Sequence, residues 1–67
     1  MKIQSVAHSY WRTIKRGART YESLSTESKL GYPPMSEQVL YLAKTDVENG
    51  VITLEQFEEY IGFPYEA

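Results

Sequence analysis

The chain has 67 residues, with nine Asp and Glu against seven Lys and Arg, one histidine and no cysteine. A chain of this size forms one small domain whose thin core is worth about 3–5 kcal/mol of net stability. These counts exclude disulfides, thiolate metal sites and a multi-histidine site within one chain.

The first element is amphipathic. Ile3, Ala7, Tyr10, Ile14, Gly17, Tyr21 and Leu24 recur at spacings of four and three, which predicts a helix over residues 3–23. Arg12, Lys15, Arg16 and Arg19 fall on the opposite face, and the only tryptophan, Trp11, on a flank. Gly17 costs about 1 kcal/mol relative to alanine inside a helix. On the apolar stripe it would permit close approach of another helix. The competing reading ends the helix near Arg16, with Gly17 as its cap and a second short helix over Thr20 to Lys29.

Residues 25–35 read as a connection. Ser25, Thr26 and Ser28 compete with the helix backbone for hydrogen bonds, and Gly31-Tyr32-Pro33-Pro34 stops regular structure. Residues 36–62 read as a helical hairpin. Ser36 is the expected N-cap, Glu37 sits in the first turn, and Met35, Val39, Leu42, Ala43 and Val47 form the apolar stripe. Asn49-Gly50 closes that helix. The same dipeptide is a β-hairpin signal, with Asp46–Glu48 and Val51–Thr53 as short strands, but the helical periodicity on both sides fits better. Thr53 with Gln56 three positions on is a capping-box pattern. Leu54, Phe57 and Ile61 make the buried face of the last helix, Glu55, Glu58 and Glu59 its wet face, and Gly62 and Pro64 its end.

The expected fold is therefore all-α: a three-helix domain with a long amphipathic N-terminal helix and a C-terminal helix-turn-helix hairpin. Its core draws on Ile3, Ala7, Tyr10, Ile14, Val39, Leu42, Ala43, Val47, Ile52, Leu54, Phe57 and Ile61. No run approaches the roughly 20 apolar residues of a membrane span. Met1-Lys2 leads into a mixed polar segment unlike a signal peptide. A soluble chain without a membrane partner is expected.

Little here points to catalysis. Glu55, Glu58 and Glu59 share a helix surface but lack the perturbing cleft that acid–base carboxylates need. His8 has only Ser5, Ser9 and Asp46 as candidate partners and reads as a surface histidine. Gly17, Gly31, Gly50 and Gly62 have no phosphate-binding spacing. No catalytic, cofactor or metal residues are expected, and the chain reads as a non-enzyme.

Two resemblances fall in the C-terminal half. Asn49 to Phe57 resembles the second half of an EF-hand, with Gly50 at the sharp turn and Ile52 at the pairing position. The first two side-chain ligand positions, however, hold Thr45 and Val47, the closing position holds Gln56, and Asn49 alone is a suitable loop ligand. A turn without calcium is the expectation. Val47 to Gly62, with Tyr65 following, resembles the tail of short XkdX-type proteins of tailed phages and prophages: a valine, a glycine, Ile-Thr, an acidic helix with an aromatic, a glycine and a late tyrosine. That resemblance implies a phage or prophage origin, hence the cytoplasm of a bacterial host or a virion.

Charge and aromatics suggest how such a chain would act. Residues 1–30 hold six cations against two carboxylates, and residues 31–67 hold one against seven. Such halves attract each other, within one chain or between chains. Tyrosine-rich chains also suit interfaces. The expected function is protein–protein binding or assembly with an unidentified protein partner, including homo-oligomerisation through the first helix. The candidate binding residues are Trp11, Arg12, Lys15, Arg16, Arg19, Tyr32, Tyr60, Phe63 and Tyr65. The alternative is a small nucleic-acid binder, with Arg12, Lys15, Arg16 and Arg19 on phosphates and Trp11 or Tyr10 stacked on a base.

Overall fold

A computed structural model describes residues 2–28 and 31–66. It contains three helices, α1 (Ser5–Lys15), α2 (Met35–Glu48) and α3 (Leu54–Ile61), with a 3₁₀ turn at Tyr21–Ser23. No β-strand occurs among the described residues. α1 and α3 each pack on α2, and the 3₁₀ turn packs on α3. The fold is all-α, as the periodicities predict.

The long first helix is corrected. α1 stops at Lys15, with Arg16 as its cap, and Gly17 lies in the left-handed region at φ +81°. The chain then turns, and Ala18 N–H donates to the Thr13 carbonyl at 3.1 Å. The competing reading, a helix capped by Gly17, is the one observed, although only the single 3₁₀ turn follows where a second helix was expected. Lys29, the end of that expected helix, lies outside the described residues. Gly17 also admits no neighbouring helix, because a Cβ there would meet nothing within 4 Å. The break has a signed consequence. In a continuous helix Gly17→Ala would stabilise by about 1 kcal/mol. In the left-handed cap it destabilises by about 1 kcal/mol, and urea denaturation measures the sign directly.

The N-terminal cap of α2 lies two residues earlier than expected. Pro34, extended at ψ 149°, occupies the cap position, and no side chain caps the helix. Ser36 is therefore inside the first turn, not the N-cap. Its backbone N–H donates instead to the Ser25 carbonyl at 3.1 Å, a tertiary substitute for a cap. At the far end Gly50 takes φ +75°, and the Asp46 carbonyl accepts from Val51 N–H at 2.8 Å. Asp46–Glu48 is helical, so the short-strand alternative falls. α3 has the full capping box: Gln56 N–H donates to the Thr53 hydroxyl at 3.1 Å, and Thr53 N–H to the Gln56 side-chain oxygen at 2.9 Å. Gly62 closes the helix at φ +99°.

The core is Ala7, Trp11, Ile14, Leu24, Val39, Ala43, Ile52, Phe57 and Ile61. Ile3, Tyr10, Leu42 and Val47 pack against it only half-buried. Leu54 is corrected outright, at 60% exposed. It lies on the same line as Phe57 and Ile61, spaced i, i+3 and i+7, but at the first position of α3, and there it stays exposed. Trp11 moves the other way, into the core. With the helix ended at Lys15, the inward face centres on Ala7, Trp11 and Ile14, spaced i, i+4 and i+7, instead of the longer stripe through Gly17 and Tyr21.

Candidate interaction surface

The nine candidate binding residues separate into three groups. The first has been absorbed by the fold. Trp11 is 4% exposed, its indole N–H donates to Asp46 Oδ2 at 2.8 Å, and Tyr60 meets its ring edge-on at 5.8 Å. Lys15 lies 3.5 Å from the same carboxylate oxygen and 5.1 Å from the Trp11 ring centroid. One carboxylate on α2 thus holds two residues of α1, and the Asp46 carbonyl holds the turn into α3. Trp11 is accordingly corrected from a surface contact to a structural node, and Lys15, still partly exposed, is tied to the same carboxylate. Asp46 carried no periodic signal in the sequence.

The second group is aromatic and closes the core edge. Tyr60 is half-buried on Trp11. Tyr65 is half-buried edge-on to Phe57 at 5.4 Å, with its hydroxyl 3.4 Å from Glu48 Oε1. Phe63 touches both Tyr21 and Phe57 edge-on, yet remains 43% exposed. Tyr32 is half-buried, with Lys2 6.0 Å from its ring centroid.

The third group is cationic and exposed: Arg12, Arg16 and Arg19. These do not form one stripe. Arg12 lies on α1 and Arg16 at its cap, whereas Arg19 follows the Gly17 break and stacks on Tyr10 at 4.6 Å. The break is what dissolves the continuous basic face. An open groove of about 480 Å³ runs beside it, where Lys15, Arg16 and Arg19 share the lining with Glu22, Glu59 and Tyr60. The groove is mixed in charge.

A buried residue that periodicity missed is Gln38, at 0% exposure on the inner face of α2. Its side-chain oxygen accepts from Gln4 N–H at 2.7 Å, and its amide nitrogen donates to the Pro33 carbonyl at 2.8 Å. It clasps the entrance of α1 to the turn before α2. A glutamine at a helix position flanked by Val39 and an apolar stripe was the available signal.

Titration adds one pH handle. Partial burial raises the Tyr21 hydroxyl above its ordinary value, and the negative charge of Glu37 adds to the rise. The hydroxyl donates to the Ser36 carbonyl at 3.1 Å. The folded state therefore keeps this proton after the unfolded chain, with a tyrosine pKa of about 10, has released it. Stability is intact below about pH 10 and falls as pH rises through the folded value. Tyr65 acts in the same direction, through partial burial and the Glu48 carboxylate. Urea midpoints at neutral pH and about pH 11 should show the loss, and Tyr21→Phe should lessen it.

Glu55, Glu58, Glu59 and His8 are exposed, and among the described residues no group of three or more His, Cys, Asp or Glu is placed to hold a metal. In the EF-hand-like turn the Thr45 hydroxyl donates to the Tyr41 carbonyl, and the Gln56 side chain serves the α3 cap. Among the described residues no helix is long and apolar enough to cross a membrane. The structure defines a small all-α protein. No protein-family model, curated protein or solved structure matches the chain.

Proposed function

We propose that the chain is a small non-enzymatic protein of phage or prophage type that acts by binding or assembling with protein, as an adaptor or an occluding subunit. Its place is then the bacterial cytoplasm or a virion. The observation that carries this reading is the apolar surface left over after folding. Val6, Tyr41, Val51, Leu54 and Phe63 all remain well exposed on a chain of 67 residues. Scattered apolar residues are ordinary on a surface, but this many in so small a protein, beside segregated charge, suits a protein interface. The resemblance of Val47 to Gly62 to XkdX-type tails supports the phage origin.

The nucleic-acid alternative has less to stand on. Trp11 is buried, Lys15 faces Asp46, and Arg16 and Arg19 share their groove with Glu22 and Glu59. Affinity capture from a bacterial lysate, with and without nuclease, tests the choice. We expect a protein set retained after nuclease treatment, unchanged by Arg12→Glu with Arg16→Glu, and diminished by Tyr41→Asp or Leu54→Asp. Capture abolished by nuclease and by the arginine reversals would overturn the reading in favour of nucleic acid.

A further inference from the structure

The chain beyond α3 is held differently from the rest of the fold. Gly62 N–H donates to the Glu58 carbonyl at 2.8 Å, and after it, among the described residues, no backbone hydrogen bond is made. Gly62 itself takes φ +99°, which turns the chain off the helix axis. Side chains do the holding that follows. Phe63 meets Tyr21 edge-on at 5.9 Å and Phe57 at 6.3 Å, and Tyr65 meets Phe57 at 5.4 Å. The polar tie is the Tyr65 hydroxyl, which donates to Glu48 Oε1 at 3.4 Å.

These rings cover Phe57, the largest side chain with no exposure at all. Phe63 stays 43% exposed in doing so, and Pro64 and Glu66 are exposed as well. A segment without backbone hydrogen bonds, with its rings partly in water, is of the kind that opens before the rest of a fold does. Its opening bares a slot with Phe57 as floor, Tyr21 as wall and Glu48 at the edge. The segment seated there shows what fits. Proline fixes its own φ and holds the residue before it extended, so Phe63-Pro64-Tyr65 has little freedom to lose on docking. Aromatic-lined grooves take proline-stiffened segments for that reason.

We propose that residues 63–66 are a removable strap over a peptide-binding slot, and that the slot takes an extended partner segment of the same chemistry. That segment carries an aromatic ring on each side of a proline, the second with a hydroxyl for Glu48. The strap is then an internal competitor of the partner. This rests on the protein-contact reading above and gives it a site and the chemistry of its occupant.

The probe is a synthetic peptide with the sequence of residues 62–66, blocked at both ends, and its control has alanine for both aromatics. Each is titrated into full-length protein while amide NMR follows Tyr21, Glu48 and Phe57. Phe63→Ala with Tyr65→Ala removes the strap's rings. This double variant should keep its helices by circular dichroism, bind the peptide at the slot and ignore the control. Tyr65→Phe keeps both rings and loses only the bond to Glu48. It should bind the peptide about twofold to tenfold more tightly than the parent, whose closed strap limits the competent fraction. A folded double variant whose slot amides do not shift overturns the proposal. So does a double variant that loses its helices, since the strap is then part of the core. A Tyr65→Phe protein that binds no better than the parent has the same force. A concentration-dependent dimer of the parent, abolished by Phe63→Ala, would make a second copy's strap the occupant and overturn the separate partner. Nuclease-resistant protein capture alongside any of these failures leaves the broader reading standing at another surface.

Discussion

Replacing Trp11 by alanine should unfold the protein or bring it to the edge of unfolding. The ring is 4% exposed, packs edge-on against Tyr60, and lies under Lys15. Truncating a buried Trp costs about 3–5 kcal/mol. That equals the whole stability expected of a chain this size, about 3–5 kcal/mol. Trp11→Phe divides the loss. It retains most of the apolar area but removes the donor that meets Asp46 Oδ2 at 2.8 Å. The carboxylate is then left with Lys15 at 3.5 Å, and losing a hydrogen bond to a charged group costs about 1.5–3 kcal/mol. Far-ultraviolet circular dichroism during urea denaturation measures both. A surface role for Trp11 would give the opposite pattern: native stability in both variants, with loss confined to partner capture.

Gln38→Met should be nearly as damaging, although it changes little in volume. Methionine fills the space but can serve neither Gln4 N–H, held at 2.7 Å, nor the Pro33 carbonyl, held at 2.8 Å. Each buried polar group left unpaired costs about 1–3 kcal/mol. The expected loss is therefore about 2–6 kcal/mol. Hydrogen exchange locates it, since the Gln4 amide should lose its protection first. A Gln38→Met protein as stable as the parent would show that both backbone groups find water, and that the clasp contributes nothing.

These two residues show where sequence reasoning reached its end. Residues with strong local signals behaved as expected. Thr53 and Gln56 form their capping box, Gly62 takes the left-handed cap, and Ala7, Ile14, Val39, Ala43, Phe57 and Ile61 are buried. Each depends on contacts within a few residues or on a clean period. Trp11, Asp46 and Gln38 depend on partners more than thirty positions away. No window along the chain contains both ends of those bonds.

The basic face failed for a related reason. Arg12, Lys15, Arg16 and Arg19 align only if the helix continues through Gly17. Periodicity extends a stripe wherever residue types permit it, and it assigns too little weight to one glycine that can turn left-handed. Once Gly17 turned, Arg19 left the helix and settled on Tyr10, and the inward face rotated to take Trp11.

By itself, the amino-acid order determined that the protein is helical, where its last helix starts and stops, and that its charges divide into unlike halves. Those properties come from backbone preferences and residue spacing, which act locally. Only the tertiary structure decided that the first helix is short, that the tryptophan lies inside and Leu54 outside, and that Lys15 of α1 pairs with Asp46 of α2. Such outcomes are set by competition among distant side chains for the same small interior, which no local preference encodes.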